Sequence, residues 1–147
     1  MLDKNFINHK MEPFEALLEK GQMEIFAKAL DENKSIYTDE KLAIEKGYRS
    51  IVALPTYIIR LGTRDDLTYG MFDMLKIDLS RLLHGEQEFE FGQEVCAGET
   101  LFGEKKIVDI YEKSNGALSF LVTSIQYTNE HDEFVCNDKC TFIIRNS

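Results

Sequence analysis

The sequence predicts an α+β domain in which an antiparallel sheet wraps around one central helix. Three observations predict it. Helical periodicities fill the first part of the chain, to about residue 83. The remainder carries four successive β-rich runs separated by turn residues. Residues 50–62, SIVALPTYIIRLG, are apolar almost throughout, and a short helix there without a clear polar face belongs inside the sheet.

Taken in order, residues 1–12 are polar and mixed and predict a frayed or loosely docked start. EPFEALL (12–18) reads either as a helical turn or as a short extended segment. In QMEIFAKAL, Met23, Phe26, Ala27 and Leu30 fall at helical spacing with Glu24 and Lys28 outside, predicting a helix that ends near Asp31. Thr38 is the expected N-cap of a second helix over Asp39–Lys46, stopped by Gly47. Pro55 suits the first position of the buried helix, about Pro55–Leu61, which Gly62 ends. Residues 63–68 read as loop. MFDMLKIDLSRLL (71–83) reads as another helix, with Met71, Met74, Leu75 and Leu79 on one side, lengthening a lid or packing at an interface.

From His84 the period becomes two. Glu86, Glu88 and Glu90 alternate with Gln87, Phe89 and Phe91, which predicts one buried face. Gly92 and Gly98 bracket a turn. LFGEKKIVDIYEK is the second strand, Ser114-Asn115-Gly116 a hairpin signal, and ALSFLVTSIQYT the third strand. The fourth, FVCNDKCTFIIR, has Phe134, Cys136, Cys140, Phe142 and Ile144 in phase. Repeats, linkers and low-complexity tracts are absent from the sequence, so residues 1–147 read as a single domain.

A net charge of −9 argues against a partner held through nucleic-acid phosphates and against an anionic membrane surface. The sequence shows no secretory signal and no apolar run long enough to span a bilayer. Cys96, Cys136 and Cys140 read as reduced, partly buried small hydrophobes; with no second Cys/His pair at ligand spacing, zinc is not expected. The compartment expected is reducing and cytoplasmic.

A site is expected in the turn after the first helix, where Asp31, Glu32, Asn33, Tyr37 and Asp39 crowd together. Each candidate has a structural reading beside the functional one. Asp31 and Glu32 are either an acid/base remnant or solvated carboxylates at a helix end. Tyr37 either orients a substrate or is a buried ring with a wet tip. His84, before Gly85 at a strand start, is a general base, a cofactor contact, or a structural imidazole bonded to backbone. His131 is expected in solvent and His9 in the mobile start. Arg49, Arg60, Arg64 and Arg81 either meet cofactor phosphates or form surface ion pairs. The start of the Pro55 helix offers backbone N–H groups suited to polarising a carbonyl.

Residues 26–57 (FAKALDENKSIYTDEKLAIEKGYRSIVALPTY), LLHGEQEFEF, AGETLFGEKKIVDIYEK and the final CTFIIR together resemble the N-terminal-type domain of MaoC-like dehydratases. These are hot-dog folds that act on (R)-3-hydroxyacyl thioesters. The resemblance runs from about Gly21 to the end. Active members read Gly-Asp-x-Asn-Pro-x-His in the turn. Laid on this chain, Asp31 falls at the Gly, Glu32 at the Asp, Asn33 at the variable position, Lys34 at the Asn, Ser35 at the Pro and Tyr37 at the His. The spacing survives while the chemistry does not, because a phenol of pKa about 10 is a poor base where an imidazole titrates near about 6.5.

The resemblance implies Glu32, Tyr37 and His84 as candidate catalytic residues. It implies Asp31, Asn33, Pro55, Thr56, Tyr57 and Gly85 as substrate-binding ones. The substrate implied is an acyl-CoA or acyl-carrier-protein thioester, with no cofactor and no metal. The function implied is that of a dehydratase/hydratase subunit, dimeric with itself or with a second hot-dog chain that supplies the intact pair. A homodimeric acyl-CoA-binding module and an acyl thioesterase are the alternatives.

Overall fold

The computed structural model describes residues 2–33, 35–63 and 65–146, without the side chains of Asp65 and Asp66. Its elements are β1 (Phe14–Leu17), α1 (Lys20–Ala29), α2 (Glu40–Glu45), α3 (Ile58–Gly62), α4 (Asp65–Met74), β2 (Leu82–Phe91), β3 (Thr100–Lys113), β4 (Leu118–Thr128) and β5 (Phe134–Arg145). The five strands form one antiparallel sheet in the order β1-β3-β4-β5-β2. This is the hot-dog arrangement, with α3 as the plug. A 3₁₀ turn at Pro55–Tyr57 leads into α3, with Pro55 at the first position, where its missing N–H costs nothing. Tyr57, Ile58, Leu61 and Gly62 are all buried.

Several elements depart from the sequence-based expectation, each for a local reason. The start is docked: the Asn8 N–H donates to Ile107 O, Met11 N–H to Lys105 O, and Ile107 N–H to His9 O. Phe14–Leu17 is extended because it pairs with Leu101 and its neighbours on β3. Leu30, expected on the buried side of α1, lies beyond the helix end and is exposed. Asp39 caps α2 in place of Thr38, accepting from the N–H groups of Lys41 and Leu42, while the Thr38 hydroxyl accepts from Ser35 N–H. The helix placed over 71–83 begins instead at Asp65, inside the expected loop, and ends at Met74; Leu79 is exposed and Leu82 opens β2. Phe91 is 52% exposed, so the buried face of β2 stops at Phe89.

The interior divides in two. One cluster gathers Leu18, Met23, Ile51, Tyr57, Ile58, Leu101, Ile125 and Tyr127 beneath α1 and α3. The other gathers Met71, Phe72, Leu75, Ile107, Leu121 and Ile144 beneath α4. Among the described residues, no helix is long and apolar enough to cross a membrane. All three cysteines are free thiols.

Candidate functional site

The turn after α1 is built by backbone. Asp31 takes the left-handed conformation (φ +57°), the position where helices commonly close and where glycine or a short polar residue fits. Glu32 N–H donates back to Ala27 O at 3.0 Å. The Asn33 side-chain amide donates to Asp31 O at 3.1 Å. Lys34 lies outside the described residues. Ser35 then anchors a second turn: its carbonyl accepts from Thr38 and Asp39 N–H, and its hydroxyl accepts from Tyr37 N–H. Val52 N–H, donating to Ile36 O, ties this turn to the segment leading into α3.

The result is a cleft of about 220 Å³ at the start of the plug, where Tyr37 meets Pro55, Ile58, Phe91, Val95 and Cys136. Only Tyr37 and Pro55 of the expected site residues line it. Asp31 and Asn33 are exposed, and Glu32 is half-buried outside the lining. Thr56 is exposed; Tyr57 is buried against Phe26, ring edge to face at 5.4 Å. Tyr57 N–H already donates to Leu54 O, which removes one of the donors expected at the plug's start. The titratable groups in the cleft besides Tyr37 are Glu94, which accepts from the Tyr48 hydroxyl at 2.6 Å, and Cys136. Burial pushes the Cys136 thiol up to about 12. The described lining residues include no histidine and no aspartate.

His84 is elsewhere. It is exposed on β2 and pairs with Phe142 of β5, next to the bulge at Gly85. The close approach at Gly85 is to this chain's own β5: a Cβ there would press on Ile143. The arginines serve structural contacts, Arg49 with Glu99 (2.7 Å), Arg60 with Gln22 (2.8 Å), and Arg81 with Asp78 and Asn146 O. Arg64 lies outside the described residues.

His84 lines a second cavity, of about 270 Å³, between the end of α3 and the inner face of the sheet. Its apolar walls include Ile59, Ile125 and Phe142. Its polar groups include Thr68, Gln87, Lys105 and Asp138. The His84 ring Nε2 lies 3.0 Å from Gln87 Oε1, and the Gln87 amide donates to Asp138. Lys105 Nζ donates to the Thr68 hydroxyl at 3.4 Å. Lys105 and Asp138 are both nearly inaccessible, at 3% and 5% exposure. Burial raises the Asp138 carboxyl to about 6 and holds the Lys105 ammonium below its usual value.

The sequence reading missed this cluster, although the signal was present. Asp138 completes the inward phase of Cys136, Cys140, Phe142 and Ile144, and Lys105 that of Leu101, Gly103 and Ile107. Among the described residues, no group of three or more His, Cys, Asp or Glu could hold a metal ion.

Comparison with known proteins agrees with this architecture. The family model "FAS1-like, dehydratase domain region" matches residues 5–138. A UPF0336 protein of Saccharopolyspora erythraea is 30% identical over 146 residues, spanning 98% of this chain and 92% of that protein. A probable enoyl-CoA hydratase 2 of Dictyostelium discoideum is 33% identical over 121 residues, 80% of this chain but 40% of that protein. Among solved structures, the C-terminally truncated HadBC (3R-hydroxyacyl-ACP dehydratase) complex of Mycobacterium tuberculosis superposes with a TM-score of 0.81. It is 22% identical and covers 94% of this chain and 96% of that one.

Proposed function

The chain belongs to the FAS1-like dehydratase-domain family of MaoC-like hot-dog proteins, and from that premise we propose that it is a non-catalytic subunit of an (R)-specific 3-hydroxyacyl-thioester dehydratase/hydratase. It shapes the acyl-binding space beside a second hot-dog subunit, which supplies the acid/base pair. The observation that carries the reading is Tyr37. It occupies the cleft at the start of the plug, in the place the resemblance gives to histidine, while Glu32 lies outside that cleft.

Adding or removing water across Cα–Cβ needs one group to move the Cα proton and another to protonate or deprotonate the oxygen. A phenol alone does neither well near neutrality. Two further points support the reading. HadBC, a complex described as a 3R-hydroxyacyl-ACP dehydratase, has this fold. The long edge strand β2 leaves an unpaired ladder, with Leu83 and Phe91 exposed, on which a second sheet can continue.

Assayed alone with crotonyl-CoA, the purified chain is expected to hydrate weakly or not at all. A robust rate abolished by Glu32→Ala or His84→Ala would overturn the non-catalytic role.

A further inference from the structure

The cavity beneath the end of α3 holds two buried charges that do not meet. Lys105 on β3 and Asp138 on β5 both register with Ile125 of β4, so two strand spacings, roughly 9–10 Å, separate their backbones. They form no ion pair; Lys105 reaches Thr68 and Asp138 is reached by Gln87. A buried charge needs a close partner or further hydrogen bonds to offset its lost hydration. Lys105 has three N–H donors, and its one side-chain hydrogen bond among the described residues is a long one, at 3.4 Å. Gly62 forms the roof above Ile125: a Cβ there would overlap the Ile125 side chain and sit 2.9 Å from the Tyr127 hydroxyl. That hydroxyl is buried and has no hydrogen-bond partner among the described residues. The chamber therefore joins apolar walls to a donor and an acceptor that are not matched to each other. It reaches the open edge of the sheet at His84 and Gln87.

We propose that this chamber binds an alkyl chain carrying a hydroxyl group, the hydroxyl accepting from Lys105 and donating to Asp138. A hydroxyl fits because it is donor and acceptor in one atom, whereas a carbonyl would serve Lys105 alone and a methylene neither. The apolar walls at Ile59, Ile125 and Phe142 take the flanking carbons. Resting on the acyl-thioester reading above, this names the substrate class: acyl chains oxygenated along their length. They enter across the β2 edge from the side where a partner subunit would stand.

The test is calorimetric titration of the full chain, alone and with any co-purifying hot-dog partner. The two probes are hexanoyl-CoA and 6-hydroxyhexanoyl-CoA, with Lys105→Met and Asp138→Asn variants in parallel. The hydroxylated probe is expected to bind at least about tenfold more tightly, with that preference lost in both variants. Equal affinity for the two probes overturns the inference and leaves the acyl-thioester reading standing; binding of neither overturns both. If either single variant fails to fold, the Lys105→Met/Asp138→Asn double variant removes both buried charges together. A preference that survives in the double variant overturns the inference.

Discussion

Asp138 shows how one residue's environment sets its chemistry. Strand alternation turns it inward between Cys136 and Cys140, where desolvation penalises the carboxylate and raises its pKa from 3.8 to about 6. Around it stand Lys105 from β3, His84 and Gln87 from β2, Tyr127 from β4 and Cys140 on its own strand. Because the folded-state pKa lies above the unfolded one, the protonated acid favours folding. That contribution is complete below about pH 3.8 and is lost as pH rises through about 6. Asp138→Asn keeps the Gln87 contact without titrating. Its stability relative to the parent should therefore rise by about 3 kcal/mol between about pH 3.5 and about pH 7.5, since a tenfold change in proton affinity is worth about 1.4 kcal/mol. Urea denaturation of both proteins across that range measures the difference, and a flat difference would place Asp138 in a solvated setting. Tyr37 makes a complementary prediction. Tyr37→His places an imidazole at the cleft, but Glu32 is not among the residues lining it, so crotonyl-CoA hydration by that variant alone should stay at background.

At the scale of elements, the plug is held by close approach at Gly62. A Cβ there has no room against Ile125, and overpacking of this kind costs about 1–3 kcal/mol. Gly62→Ala should lower the melting temperature, and adding Ile125→Val, which removes the obstructing Cδ1, should recover part of the loss. Thermal unfolding of the two variants decides it; no recovery would mean that the Tyr127 hydroxyl is the obstacle. The plug was legible in the sequence because Pro55, the apolar run and Gly62 mark its start, burial and end locally. The four long strands were legible because alternation and the Ser114-Asn115-Gly116 turn are also local signals, and that turn has all three residues at positive φ. What was not legible depended on distant partners. β1 exists because Phe14 to Leu17 pair with Gly103 to Thr100 of β3, far along the chain. The start docks on Ile107, and α4 begins inside a polar stretch because Leu67 and Met71 are buried there. At the site, the turn's position after the first helix could be read from local spacing. Strand alternation marks Lys105 and Asp138 as inward, but that they line one chamber follows from strand register, which sets them on either side of Ile125.

For the molecule as a whole, the sheet has two ends of unequal consequence. β1 is four residues long and offers little to a partner, whereas β2 presents a ten-residue open edge. Its apolar side chains Leu83 and Phe91 favour continuation into a second sheet, but Glu86, Glu88 and Glu90 stand along the same strand. Of these, Glu88 has a basic neighbour in Lys139 at 3.8 Å. Antiparallel pairing of β2 with a second copy of itself brings carboxylates opposite carboxylates, an arrangement that destabilises strand pairs. A partner edge bearing lysine or arginine at those positions would be attracted instead. This charge pattern opposes self-pairing along β2, and under the proposed function the complementary edge would belong to the second hot-dog subunit. Alone at low ionic strength, the chain should sediment as a monomer or a weakly associating species. Self-association should strengthen in about 0.5–1 M salt, where screening shortens the reach of the repulsion to a few ångströms. Glu86→Gln/Glu90→Gln should strengthen it without added salt, and adding Phe91→Lys should abolish the gain by removing apolar area from the same edge. Analytical ultracentrifugation across salt concentrations is the measurement. A tight homodimer at low salt, insensitive to the glutamine substitutions, would show that the edge accepts its own copy and that the glutamates do not govern the choice of partner.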